Sequence, residues 1–140
     1  MSRYYEDISV DEELEPLERT PTEDMAIDFF GRDNPGNPAF RDAEIGKSQG
    51  FGGALVPGAM KLSWITQFVS SWAGPDSTVR NVRAAFRRPD IAGRPLVLAG
   101  RVVEKRIEDG KHIAELEIVT LAEGQPSVRA NVQVEMPTKG

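Results

Sequence analysis

The sequence predicts an α+β fold in which one long helix is enclosed by an antiparallel sheet. Three observations carry this reading. One helix-periodic segment, "PGAMKLSWITQFVSSWAGP", is apolar over most of its surface. Everything after Asp76 alternates with period two between short turn signals. Residues 32–53 are rich in Gly, Pro, Asn and Asp, and a loop of that length inside one domain is usually functional or flexible.

Within the helical segment, Leu62, Ile65, Phe68, Val69 and Trp72 recur at spacings of three and four, and Ala59, Met60 and Trp64 widen the stripe. A helix apolar on so many sides belongs inside a fold rather than on top of one. Pro57 and Gly58 mark its start, and Gly74 and Pro75 end it. Lys61, Ser63, Gln67 and Ser70 interrupt the apolar run, which is too short to span a bilayer. Its aromatic residues read as core packing rather than as a cofactor site.

The strands follow. "NVRAAFR" places Val82, Ala84 and Phe86 on one face, and "PLVLAGRVVEKRI" reads as a long strand with Gly100 a candidate bulge or bend. "EDG" is a hairpin turn. In "HIAELEIVTL", Ala114, Leu116 and Ile118 alternate with Glu115 and Glu117. After a turn at "EGQPS", Val128, Ala130, Val132, Val134 and Met136 face inward. Three or four strands with one apolar face must therefore cover the helix. Upstream, a short strand or turn is expected around residues 15–20. A short helix follows in "TPTEDMAIDFFG", capped by Thr20 or Thr22, with Met25, Ile27, Phe29 and Phe30 on its apolar side and Gly31 at its end. One further helical turn is expected near residues 41–47.

Bulk properties narrow the function classes. The 140 residues are 39% hydrophobic and carry a net charge of −5, the profile of a single domain spanning 1–140. The absence of cysteine excludes thiolate chemistry and a disulfide framework. A single histidine without cysteine offers no metal cluster, so no metal is expected. The acidic opening residues lack the apolar core of a signal peptide, and a cytoplasmic protein without membrane contact is expected. Residues 1–44 hold thirteen acids and four bases, and residues 45–140 nine acids and thirteen bases. That asymmetry serves solubility and internal complementarity, or else a basic face for a small anionic ligand. Nucleic acid is not expected as a partner.

Four stretches, "YYEDISVDEELEPLERTPTEDM", "NPAFRDAEIGKSQGF", "LVPGAMKLSWITQFVSSWAGP" and "VRAAFRRPDIAGRPLVLAGRVVEKR", carry a resemblance that extends over nearly the whole chain. Together they resemble the MaoC-like acyl-thioester hydratase/dehydratase family, which has the hot-dog fold. The resemblance implies an acyl thioester of coenzyme A or a carrier protein as ligand and no other cofactor. It also implies a homodimer, or a heterodimer with another hot-dog subunit. In that family an Asp and a His from a D-x-N-P-x-H motif activate water for addition to an enoyl thioester. A His-Gly pair opens the central helix, whose first N–H groups polarise the thioester carbonyl, as a helix N-terminus favours developing negative charge.

This chain departs from the pattern. Aligned without gaps, Asn37 and Pro38 fall on the family's Asn-Pro, Phe40 on the histidine and Pro35 on the aspartate; Pro57 replaces the histidine of the His-Gly pair and Gly58 is retained. With a short insertion, "DNPGN" takes the motif's place, Asp33 is the acid or base, and Asn37 lies near the missing histidine. Neither register supplies a histidine, and His112 is expected to be a solvent-exposed strand residue. The candidate catalytic residues are therefore Asp33 and Asn37, which also read as ordinary turn residues. Candidate substrate-binding residues are Asn34, Phe40, Pro57, Gly58, Ala59, Trp64, Arg87 and Arg88. The last two lie in a basic cluster with Arg80, Arg83 and Arg94 that reads first as a solvated strand face. Three functions compete: a non-catalytic, substrate-binding subunit; an active hydratase or dehydratase using Asp33; or a repurposed pocket, such as a cyclase, isomerase or lyase on an acyl or polyketide-like substrate.

Overall fold

The computed structural model describes residues 2–33 and 36–140. The long apolar helix forms as its pattern requires. It is α3, Gly58–Ala73, after α1, Glu23–Phe30, and α2, Ala43–Ser48. The strands are β1, Glu13–Arg19; β2, Thr78–Phe86; β3, Leu96–Glu108; β4, Lys111–Ala122; and β5, Gln125–Glu135. They form one antiparallel sheet in the order β1-β3-β4-β5-β2, so β1 and β2 are its edges.

The core lies between α3 and the concave face of this sheet. Met60, Trp64, Ile65, Phe68, Val69 and Trp72 of the helix share one buried cluster with Leu96, Leu98 and Val102 of β3. Ala114, Leu116 and Ile118 of β4 and Val128, Ala130, Val132 and Val134 of β5 complete it. Each fully buried aliphatic side chain contributes about 1.5–3 kcal/mol, so this face holds the domain together. Asp109–Gly110 and Glu123–Gly124 join β3–β4 and β4–β5 as two-residue turns. All four residues have positive φ, as a type I′ hairpin requires.

Several expectations need correction. The sheet has five strands because residues 13–19 pair with β3 as a full edge strand, with a bulge between Leu14 and Leu17. Gly100 is not a bulge, since it pairs in register with Ile118 while the irregularity falls between Val102 and Glu104. Its role is close approach: a Cβ there would lie 2.4 Å from Ile118 Cδ1 and 2.8 Å from the Glu117 carbonyl oxygen. In α1 the buried residue is Ala26, and Met25 and Phe29 are exposed. This helix packs on the Pro38–Phe40 turn through Phe30 and Phe40, 5.7 Å apart, so its longest side chains have no sheet to cover them. Ala59 is exposed, and Lys61, expected to interrupt the apolar stripe, is buried within it. His112 is half-buried and meets the ring of Tyr5 edge-on at 4.9 Å.

The Gly-rich segment before α3 is held by backbone contacts. Leu55 N–H donates to the Ala39 carbonyl at 2.8 Å, and Val56 N–H to the Asp90 carbonyl at 2.9 Å. Ala92 N–H donates to the Ala54 carbonyl at 2.9 Å, and Gly93 N–H to the Pro21 carbonyl at 2.7 Å. The Val56–Asp90 and Ala92–Ala54 bonds bind residues 54–56 to the crossover between β2 and β3. Gly46 of α2 lies against Gly53, whose carbonyl oxygen would be 1.9 Å from a Cβ. We expect Gly46→Ala to cost about 1–3 kcal/mol by overpacking. Ile65→Ala, which empties a fully buried site, should cost about 2–5 kcal/mol. Denaturant unfolding checks both, and wild-type stability in either variant would contradict the packing described.

Candidate functional site

The stitched segments converge at the start of α3. Pro57 occupies the N-cap position with extended backbone and no side-chain cap, and the first N–H groups of the helix, at Gly58 and Ala59, lack intrahelical acceptors. Gly58 fits closely here: a Cβ would stand 3.2 Å from Cε1 of Phe86. Phe86 ends β2 at the sheet edge and remains 50% exposed. It is the half-open cover of the helix start.

The expected site residues divide between places. Pro57, Gly58 and Ala59 lie at this helix start, with Arg87 and Arg88 following Phe86 directly. Both arginine N–H groups donate to the Ser127 carbonyl, at 2.7 and 3.2 Å, and both side chains are exposed. Arg80, by contrast, is engaged by Glu135. Trp64 is buried in the core with the Arg19 guanidinium 4.0 Å above its ring. Phe40 packs on Phe30, and Phe68 borders a separate surface cleft with Trp72 and Leu17. Asp33 is exposed in a turn. The Asn37 side chain accepts from Ala39 N–H at 3.0 Å, capping the 3-10 turn at Pro38. Asn34 lies outside the described residues.

Sequence reading missed two residues. Lys61, in the first turn of α3, is 3% exposed, and its Nζ donates to Oδ2 of Asp90 at 2.9 Å. Asp90, also 3% exposed, is held in the crossover by its carbonyl's bond to Val56 N–H. The ammonium stands 5.7 Å from the centre of the Phe86 ring. A signal was present: Lys61 lies three and four residues before Trp64 and Ile65, on the stripe that had to be buried. A charge there demands a partner.

No family model matches the sequence, and no curated protein matches it. Solved structures do match. Unliganded R-hydratase PhaJ1 from Pseudomonas aeruginosa is 18% identical over 97% of this chain and 86% of its own, with a TM-score of 0.86. A MaoC-like dehydratase from Rhodospirillum rubrum is 16% identical over 99% of both chains, with a TM-score of 0.82. A chain of the ChsH1-ChsH2 complex from Mycobacterium tuberculosis is 18% identical over 91% of this chain and 98% of its own, with a TM-score of 0.79. Likeness at this level establishes the fold. The chain has the hot-dog fold, and its structural neighbours are R-hydratases and MaoC-like dehydratases. No helix among the described residues is long and apolar enough to cross a membrane.

The buried pair sets the prediction here. Lys61→Met alone strands the Asp90 carboxylate without its partner, and we expect a loss of about 3–5 kcal/mol in urea unfolding. A loss below about 1 kcal/mol would mean that the charge reaches solvent or another cation.

Proposed function

We propose that this chain is an acyl-thioester-binding protein of the MaoC-like hydratase/dehydratase class, lacking the customary Asp/His pair. The observation that carries this reading is the start of α3: free N–H donors at Gly58 and Ala59 beneath the half-open Phe86 ring, with Arg87 and Arg88 next to it. Backbone donors serve a thioester carbonyl without any side chain, so binding outlasts loss of the histidine. Two exposed guanidiniums suit the phosphates of coenzyme A. The likeness of the whole backbone to an R-hydratase and a MaoC-like dehydratase supports the same reading.

The protein pairs with a second hot-dog subunit, a copy of itself or a different chain. β2 is an open edge whose Val79, Val82 and Ala84 are only partly buried, and such an edge is protected by pairing. One structural neighbour comes from a complex of two differently named proteins, ChsH1 and ChsH2. Asp33 stays exposed and Asn37 spends its acceptor on a local cap, which favours substrate binding over hydration by these two residues.

Calorimetric titration with butanoyl-CoA tests the binding. We expect saturable binding, weakened roughly tenfold in the double variant Arg87→Ala, Arg88→Ala. Affinity for butanoyl-pantetheine, which lacks the nucleotide phosphates, should not change. In parallel, Asp33→Asn is expected to leave any loss of 2-enoyl-CoA absorbance at the wild-type rate. Abolition of turnover in that variant would instead make Asp33 the working base of an active hydratase.

A further inference from the structure

The missing dyad does not leave the helix start without proton-transfer groups. Lys61 and Asp90 are both charged and almost wholly enclosed, and each satisfies the other only once. The Lys61 ammonium has three donors, and its one hydrogen-bonding side-chain partner among the described residues is Asp90 Oδ2. Asp90 Oδ1 has no hydrogen-bond partner among the described residues, yet Trp72 Nε1 is the buried side-chain atom left unpaired there. Asp90 also borders a small cavity of about 80 Å³ with Arg88, Gln125 and Ser127, on a lining that does not include Lys61 or the helix start. Unused donors and an unused acceptor at a buried site call for a polar guest.

Fold stability does not explain the pair. An ion pair taken from water recovers little net energy, and apolar side chains of similar volume usually serve as well or better. A cation in the first turn also opposes the helix dipole. Position is the informative feature. Lys61 follows Gly58 by one helical turn, and both lie against the same Phe86 ring, Gly58 at a would-be Cβ distance of 3.2 Å and Lys61 Nζ at 5.7 Å from its centre. This half-exposed ring is therefore the side chain that the pair and the helix start share.

We propose that Lys61 and Asp90 are the proton-transfer pair of the acyl site, a role resting on the thioester-binding reading above. The step balances. Asp90 takes a proton from water as its oxygen bonds to the β-carbon of a 2-enoyl thioester. The double-bond electrons move toward the carbonyl, forming an enolate whose oxygen faces the Gly58 N–H. The α-carbon then takes a proton from Lys61. The proton on Asp90 passes to Lys61 across their 2.9 Å contact, restoring both charges. One water is added and nothing else is consumed.

The test compares wild type with the double variant Lys61→Met, Asp90→Leu in three measurements on the purified chain: melting temperature, butanoyl-CoA affinity, and hydration of but-2-enoyl-CoA. We expect a melting temperature at or above wild type, unchanged affinity, and a kcat lower by at least about 10²-fold, as loss of general acid–base catalysis implies. KM should be unaltered. A structural role would lower the melting temperature and leave turnover per folded molecule intact, which overturns the proposal. So does wild type that binds butanoyl-CoA without turning over the enoyl thioester. Absence of binding by wild type overturns the thioester reading itself, and the separate titration tells the two failures apart. Should the double variant not fold, Lys61→Gln with Asp90→Asn keeps the hydrogen bond without the charges, and retained turnover there is equally decisive against it.

Discussion

Burial of α3 against the concave face of the sheet is the constraint from which the rest of this structure follows. A helix with apolar residues on most of its surface cannot rest on one neighbour. The curved sheet meets it with β3, β4 and β5, whose inward residues alternate without a break from Val128 to Val134. The edge strands contribute to the same core. β1 closes one flank, and Val79, Val82 and Ala84 of β2 pack against the core from the other.

With the helix enclosed, its two ends are reached by other segments: Arg3 donates to the Trp72 and Ala73 carbonyls at the C-terminal end, and the β2–β3 crossover meets the N-terminal end. The route there is made of backbone. Residues 54–56 and the β2–β3 crossover bond to each other at Val56–Asp90 and Ala92–Ala54, and glycines at 46, 53 and 58 allow contacts that a side chain would block. This strip brings the acid of one segment to the lysine of another across 29 positions of sequence. Preorganisation here comes from hydrogen bonds between main chains, which hold Asp90 and Pro57 independently of any ligand.

Charge is distributed in keeping with this arrangement. Several acids of the first third pair with exposed neighbours, as in Asp24 and Asp28 with Arg32, and Asp11 with Arg101. Exposed pairs of this kind contribute little to stability. Lys61 and Asp90 differ because solvent cannot screen them, and their position at the helix start gives the charge a direction. Arg87 and Arg88, by contrast, are exposed and follow Phe86 directly at the end of β2.

Local pattern determined most of the architecture. The period of α3, its Pro57-Gly58 start, the Asp-Gly hairpin and the inward alternation of β4 and β5 are legible because each depends on neighbours within a few residues. The resemblance carried by "LVPGAMKLSWITQFVSSWAGP" and "VRAAFRRPDIAGRPLVLAG" also pointed to the correct fold. What tertiary structure alone decided is which side chains meet. Met25 and Phe29 look like a core face but find no sheet to cover them, and Trp64 is buried beneath Arg19. Lys61 reads as an interruption of an apolar helix until Asp90 is placed beside it. Periodicity specifies a face, whereas a buried charge is tolerated only through its partner, and that partner is chosen by long-range backbone pairing that no local pattern encodes.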